Sequence, residues 1–92
     1  MHRAQAAVQT PKAARYLKAL CNHFSRKVTA EYSDTRATVQ FGFASCEMNA
    51  IDGTLIIDLQ ADDAAGFERA KYVVSDHLER FATGEGLTVV WE

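Results

Sequence analysis

Hydrophobic positions change period along this chain, and each change marks an element. Ala4, Ala6 and Val8 alternate with polar neighbours, which predicts a short first strand. Thr10 followed by Pro11 predicts a helix start, because a threonine oxygen accepts an orphan N–H and proline tolerates the first helical position. Ala13, Leu17, Leu20, Cys21 and Phe24 then recur at helical spacing, one apolar stripe on a helix running to about Ser25. After it the period becomes two. Val28, Ala30 and Tyr32 share one face, Ser33 to Arg36 makes a turn, and Ala37, Val39, Phe41 and Phe43 hold the same face on the next strand. Inward parity shifts to Cys46, Met48 and Ala50, so a bulge or tight turn near Gly42 to Ser45 absorbs a residue. Ile51 to Thr54, "IDGT", predicts a hairpin, since Asp-Gly takes the positive φ angles of a type I′ turn. Leu55, Ile57 and Leu59 form the inward face of a further strand. Asp62 and Asp63 open a second helix, where negative charge suits the dipole, with Phe67, Ala70, Val74, Leu78 and Phe81 as its stripe. Gly84 or Gly86 ends that helix, and Leu87 to Trp91, "LTVVW", predicts a last strand.

The order β-α-β-β-β-β-α-β, with single-faced strands, predicts an α+β fold: a two-layer, mostly antiparallel sheet of about five to six strands with two helices on one face. The other face is open to water and carries Thr29, Glu31, Ser33, Thr38, Gln40, Glu47, Asn49, Asp58 and Gln60, with Ile56 its lone apolar exception.

Composition narrows the class. A chain of 92 residues has apolar surface for one core, so residues 1–92 are expected to form a single domain. Its N-terminus has no continuous apolar run, and no stretch approaches the roughly 18 apolar residues of a membrane span. Neither secretion nor membrane insertion is expected, and a cytoplasmic location follows. Cys21 and Cys46 lie far apart without CxxC spacing, so they are expected as buried thiols rather than a disulfide.

The net charge of −2 conceals a strong asymmetry. All twelve acids lie in residues 31–92, whereas residues 1–30 carry Arg3, Lys12, Arg15, Lys18, Arg26 and Lys27 and no acid. On a helical wheel Lys12, Arg15, Lys18 and Arg26 share the face opposite the apolar stripe, with Lys27 just beyond. Nucleic acid is a poor partner for this strip. The rest of the surface is acidic, and the open sheet face lacks aromatics on which bases stack. Solubility is its simplest use; its sharper use is recognition of an acidic protein, a small anion, or the acidic half of another copy.

Catalytic chemistry finds little support. No serine or cysteine occupies a nucleophile-elbow context, and no glycine-rich loop joins a strand to a helix. The paired carboxylates Asp62-Asp63 and Asp76 with Glu79 are a helix start and a solvated face. No catalytic residue, no cofactor and no enzyme activity are expected. Cys21 and His23 look like a chelate, but two residues on a helix lie about 200° apart around the axis, and Cys21 belongs to the apolar stripe. His23 and His77 lie on comparable flanks of their helices, so antiparallel packing would let them face one another. Two imidazoles make an incomplete zinc site, and Asp76 points away from them. The plainer reading, boundary histidines bonded to backbone or to a neighbouring Tyr or Arg, is favoured.

The stretches "TPKAARYLKALCNHFSRKV", "HLERFA" and the terminal "LTVVWE" resemble the bacterial family DUF2218, domain of unknown function 2218, over nearly the whole chain. The resemblance implies an α+β domain that stands alone, with no established activity. Through relatives found beside or fused to siderophore-handling proteins, it also implies a loose association with iron uptake. It carries no catalytic residue over.

The expectation is therefore a small non-enzymatic binding or accessory domain of the cytoplasm, acting through the basic first helix or the cleft between the helices. The alternative is a small-ligand or metal site built on His23 and His77, with Tyr16 and Arg80 nearby, serving iron-related physiology. A third is a symmetric homodimer formed through the open sheet or an edge strand.

Overall fold

A computed structural model describes all residues, Met1–Glu92. Its elements are β1 (His2–Gln9), α1 (Ala13–Phe24), β2 (Thr29–Tyr32), β3 (Arg36–Gln40), β4 (Ser45–Ile51), β5 (Thr54–Ala61) and α2 (Ala64–Phe81). The five strands form one antiparallel sheet in the order β1-β5-β4-β3-β2. After β1 the chain crosses the sheet in α1 to reach its far edge, then returns strand by strand until β5 pairs with β1. Both helices pack on one face, α1 over β2 to β5 and α2 over β5 and β1.

The core lies between those layers. Leu17, Leu20 and Cys21 from α1 and Ala70, Val74 and Leu78 from α2 are sealed against Val39, Cys46, Met48, Leu55, Ile57 and Leu59 of the sheet. Burial pushes the Cys21 thiol up to about 11 and that of Cys46 well above its ordinary range, so both are protonated apolar side chains.

Local signals act largely as the pattern predicts. Asp52 and Gly53 take φ of 48° and 73°, the two left-handed positions that a type I′ turn requires, and Ile51 pairs with Thr54 across them. Asp63 caps α2: its Oδ1 accepts the Gly66 N–H at 2.6 Å. The open face carries Glu31, Thr38, Glu47, Asp58 and Gln5 along one cross-strand row. Glu47 stands directly opposite Asp58, and Gln5 Nε2 donates to Asp58 Oδ1 at 2.9 Å.

Four expectations need correction. First, α1 begins at Ala13, not at Thr10; Thr10 instead sits in the preceding turn, where its Oγ1 accepts the Lys12 N–H at 3.1 Å. Second, β3 ends at Gln40. Phe41 and Phe43 leave the strand for a loop closed by a Phe41 N–H to Ala44 carbonyl bond of 2.9 Å, and Gly42, at φ 92°, takes the bend there. That loop absorbs the parity shift. Third, Leu87 to Trp91 forms no strand: Glu92 meets the β1 edge, exchanging reciprocal backbone bonds of 3.0 and 2.9 Å with Gln5. The Val89 N–H is taken by Glu79 Oε2 at 3.2 Å, and Trp91 Nε1 donates to Ser75 Oγ at 2.8 Å. Fourth, Phe81 ends the helical stripe exposed rather than in the core. No helix is long and apolar enough to cross a membrane.

Candidate functional site: a cationic aromatic groove at the histidine pair

The end of α1 and the latter half of α2 lie side by side, and this brings the two flanking histidines together. The rings of His23 and His77 have centroids 4.5 Å apart with planes at 42°. His77 Nδ1 lies 2.6 Å from the Val73 carbonyl one turn earlier. A carbonyl only accepts, so Nδ1 is the nitrogen that carries a proton toward it. His23 packs edge-on to Phe24 at 5.8 Å and to Phe81 at 6.0 Å, while Phe24 meets His77 at 5.4 Å and Phe41 at 5.1 Å.

Beside the pair opens a groove of about 390 Å³ between the end of α1, the 41–44 loop and α2. Its floor is apolar: Phe24, Val28, Phe41, Phe43 and Val73. Phe41 and Phe43 stack at 5.6 Å, and the Arg69 guanidinium covers the Phe43 ring at 4.4 Å. The rim is basic, with Arg26, Lys27 and Arg69 beside the two histidines, and no acid lines it. None of those three cations has a carboxylate within ion-pair reach, in contrast to Lys18 with Asp34 at 2.6 Å, Lys71 with Glu68 at 2.9 Å and Arg80 with Asp76 at 3.1 Å.

The loop is held in place from α2. A Cβ built on Gly66 would stand 2.7 Å from the Phe43 carbonyl oxygen, so only glycine lets the first turn of the helix approach this backbone. The groove's electrostatics act on His23. Although the residue as a whole is exposed, partial burial of the ring lowers its pKa, and the charges of His77, Arg26 and Lys27 lower it further.

Tyr16 and Arg80 lie elsewhere. The Tyr16 hydroxyl donates to Glu85 Oε2, in the turn after α2, and Thr10 Oγ1 donates to Glu85 Oε1 at 2.9 Å. That cluster forms a separate depression with Lys12 and Arg15. Arg80 is spent on Asp76. Of the expected strip, Arg15 and Lys18 lie exposed on α1, while Lys12 precedes the helix and Arg26 follows it and lines the groove; part of the charge is answered within the chain, Lys18 by Asp34 and Lys12 by nearby Glu85. No group of three or more His, Cys, Asp or Glu side chains is gathered to hold a metal ion. Two imidazoles among three fixed cations form a poor setting for a divalent metal.

Arg69, Phe41 and Phe43 were not expected at the site. Arg69, Val73 and His77 recur at i, i+4 and i+8, a helical face the sequence does display. Nothing local marks the two phenylalanines, whose alternation imitates a strand.

Comparisons bear on the whole chain. It matches DUF2218, described as an uncharacterized protein conserved in bacteria, over residues 5–92. It is similar to PA4090 from Pseudomonas aeruginosa, whose NMR structure it matches at 34% identity and a TM-score of 0.83, covering 100% of this chain and 96% of that one. No curated protein matches it.

Proposed function

The chain belongs to this family of uncharacterised bacterial proteins, DUF2218, and from that premise we propose that it is a non-catalytic, cytoplasmic binding domain whose ligand enters the groove at His23 and His77. One observation carries the reading. In a chain of net charge −2, five nitrogen-bearing side chains and no acid surround an aromatic floor, and the three permanent charges among them are unpaired. Unpaired charge held beside apolar surface gives a ligand both orientation and buried area. The buried thiols of Cys21 and Cys46 support the cytoplasmic setting.

The groove is favoured over the α1 strip because the strip's Lys18 and Lys12 already have acids beside them. NMR screening of amide shifts against mixed small aromatic acids, alcohols and amines tests the choice. Binding compounds are expected to move His23, Phe41, Phe43, Arg69 and His77 together. Shifts confined to Lys12, Arg15 and Lys18 would transfer the role to the strip, and no shift from any compound would remove the reading. The iron association implied by the resemblance is a proposal about context. Measuring the protein's abundance in its host with and without an iron chelator tests it, and an unchanged level would discard it.

A further inference from the structure

Resting on the groove as a ligand site, we propose that its ligand is a carboxylate with a compact apolar body, packed against Phe41, Phe43 and Val73 with its charge at Arg69, Arg26 and Lys27. The body follows from the floor: Phe41 and Phe43, stacked on each other at 5.6 Å, with Phe24 edge-on to Phe41 at 5.1 Å and Val28 and Val73 alongside, make an apolar bed, while the Phe43 face itself lies under Arg69. At about 390 Å³ the groove is at the small end of organic ligand sites, which suits one or two fused rings. The charge follows from the rim, where the Arg69 guanidinium, stacked on Phe43, keeps its donor edge free for a planar two-oxygen partner.

The backbone separates a carboxylate from a phosphate. Phosphate sites draw on free N–H groups at a helix N-terminus as well as on Arg and Lys side chains, and this groove receives the C-terminal end of α1, which lacks the first of these. The N–H groups there are already committed: Ser25 to Cys21, Arg26 to His23, and both Lys27 and Val28 to Phe24. At this end of α1 the charge on offer is that of side chains, without the amide cradle of a helix N-terminus.

His23 gives the interaction a pH signature. The charged groups acting on it are His77 from α2 and Arg26 and Lys27 beyond α1; Arg69 lines the same groove two helical turns before His77, the 41–44 loop adds only apolar rings, and no acid lines the groove. A bound carboxylate would be the first negative charge beside this imidazole and would favour its protonated form. Binding therefore tightens as pH falls through the histidine range.

The experiment titrates naphthoate, naphthylmethanol, acetate and inorganic phosphate into the intact protein, followed by amide shifts and calorimetry. Naphthoate is expected to bind at the groove, with the alcohol at least about tenfold weaker for want of a charge-assisted pair. Acetate and phosphate are expected to bind more weakly still. Lowering the pH from about 8 to about 6 is expected to tighten naphthoate and leave the alcohol unchanged. Arg69→Met retains a stem to cover Phe43 and is expected to weaken naphthoate alone. An alcohol that binds as tightly as naphthoate, moving the same residues, would overturn the acid class while leaving the groove as a binding site. Phosphate displacing naphthoate at equal concentration would overturn it in favour of a phosphate site. Failure of all four probes at the groove would overturn this inference, and the binding role would then stand or fall on the wider screen.

Discussion

His23 and His77, from opposite ends of the sequence, hold their ring centroids 4.5 Å apart, and the Nδ1–H of His77 is anchored on the Val73 carbonyl. The anchor fixes the His77 tautomer and leaves His23 the freer of the two. Rings this close do not both take protons without repulsion, so the first charge on either opposes the second. No acid lines the groove to offset it.

Stability is therefore expected to fall as pH drops through the histidine range. His23 has its folded-state pKa lowered from 6.5, so the unfolded chain takes up its proton first. The contribution is full above that value and is lost progressively from there down to the lower folded-state value. Thermal unfolding followed by circular dichroism between pH about 8 and about 5 reads this slope. His23→Gln should flatten it; an unchanged slope in that variant would show that His23 is not its source.

Gly66→Ala is expected to destabilise the protein by about 1–3 kcal/mol, as overpacking does. Alanine is the better helix former, by roughly 1 kcal/mol, and at an open position it would stabilise. Here its Cβ meets the Phe43 carbonyl oxygen at 2.7 Å and Asp63 Oδ1 at 3.1 Å, and the backbone oxygen moves only if the loop moves. Urea unfolding measures the cost, and amide shifts at Phe41 and Phe43 should report the displaced loop. Equal or raised stability would mean the approach is looser than its geometry.

Much of the fold is legible because its elements alternate at their own period. Leu55, Ile57 and Leu59 alternate, Leu17, Leu20, Cys21 and Phe24 form a stripe, and Asp52-Gly53 turns where only such residues turn easily. Legibility fails where apolar residues serve tertiary contacts. Phe41 and Phe43 continue the β3 alternation in sequence, yet their rings serve Phe24 and Arg69 across the molecule. Leu87 to Trp91 has strand composition, but the Glu79 carboxylate takes the Val89 N–H that a sheet edge would otherwise receive, and Ser75 ties down the Trp91 indole. At the site, the wheel places both histidines on meeting flanks. It also places Tyr16 near them, because the acid that claims its hydroxyl, Glu85, lies in a turn after α2 that no local pattern connects to α1.

That Glu85 contact predicts an acid-sensitive tie between the turn and α1. The hydrogen bond from Tyr16 is the first cause holding the Glu85 carboxyl below 4.5, with a further bond from Thr10. Its contribution is therefore full above the ordinary carboxylate pKa and is lost as pH falls through the lower folded-state value. Tyr16→Phe should lower the melting temperature at neutral pH and reduce its decline in acid. A variant that melts like the parent at both pH values would show that solvent fully replaces the bond.

The C-terminal segment should prove to be a clasp whose strength lies in side chains. Trp91 is the chain's one tryptophan, so its fluorescence reports this contact directly. It packs half-buried against the core while its Nε1 donates to Ser75 Oγ at 2.8 Å. Ser75→Ala leaves that donor without its partner and is expected to cost about 1 kcal/mol, with a shift in emission. Trp91→Phe keeps an apolar ring, loses the donor and should cost a comparable amount or somewhat more for its smaller ring. If the bond is the shared cause, the double variant costs less than the two single costs added, because the interaction is lost only once. Fluorescence cannot follow the variants that lack tryptophan, so circular dichroism in urea measures all four proteins. Strict additivity would assign the clasp to ring packing alone and leave Ser75 without a part in it.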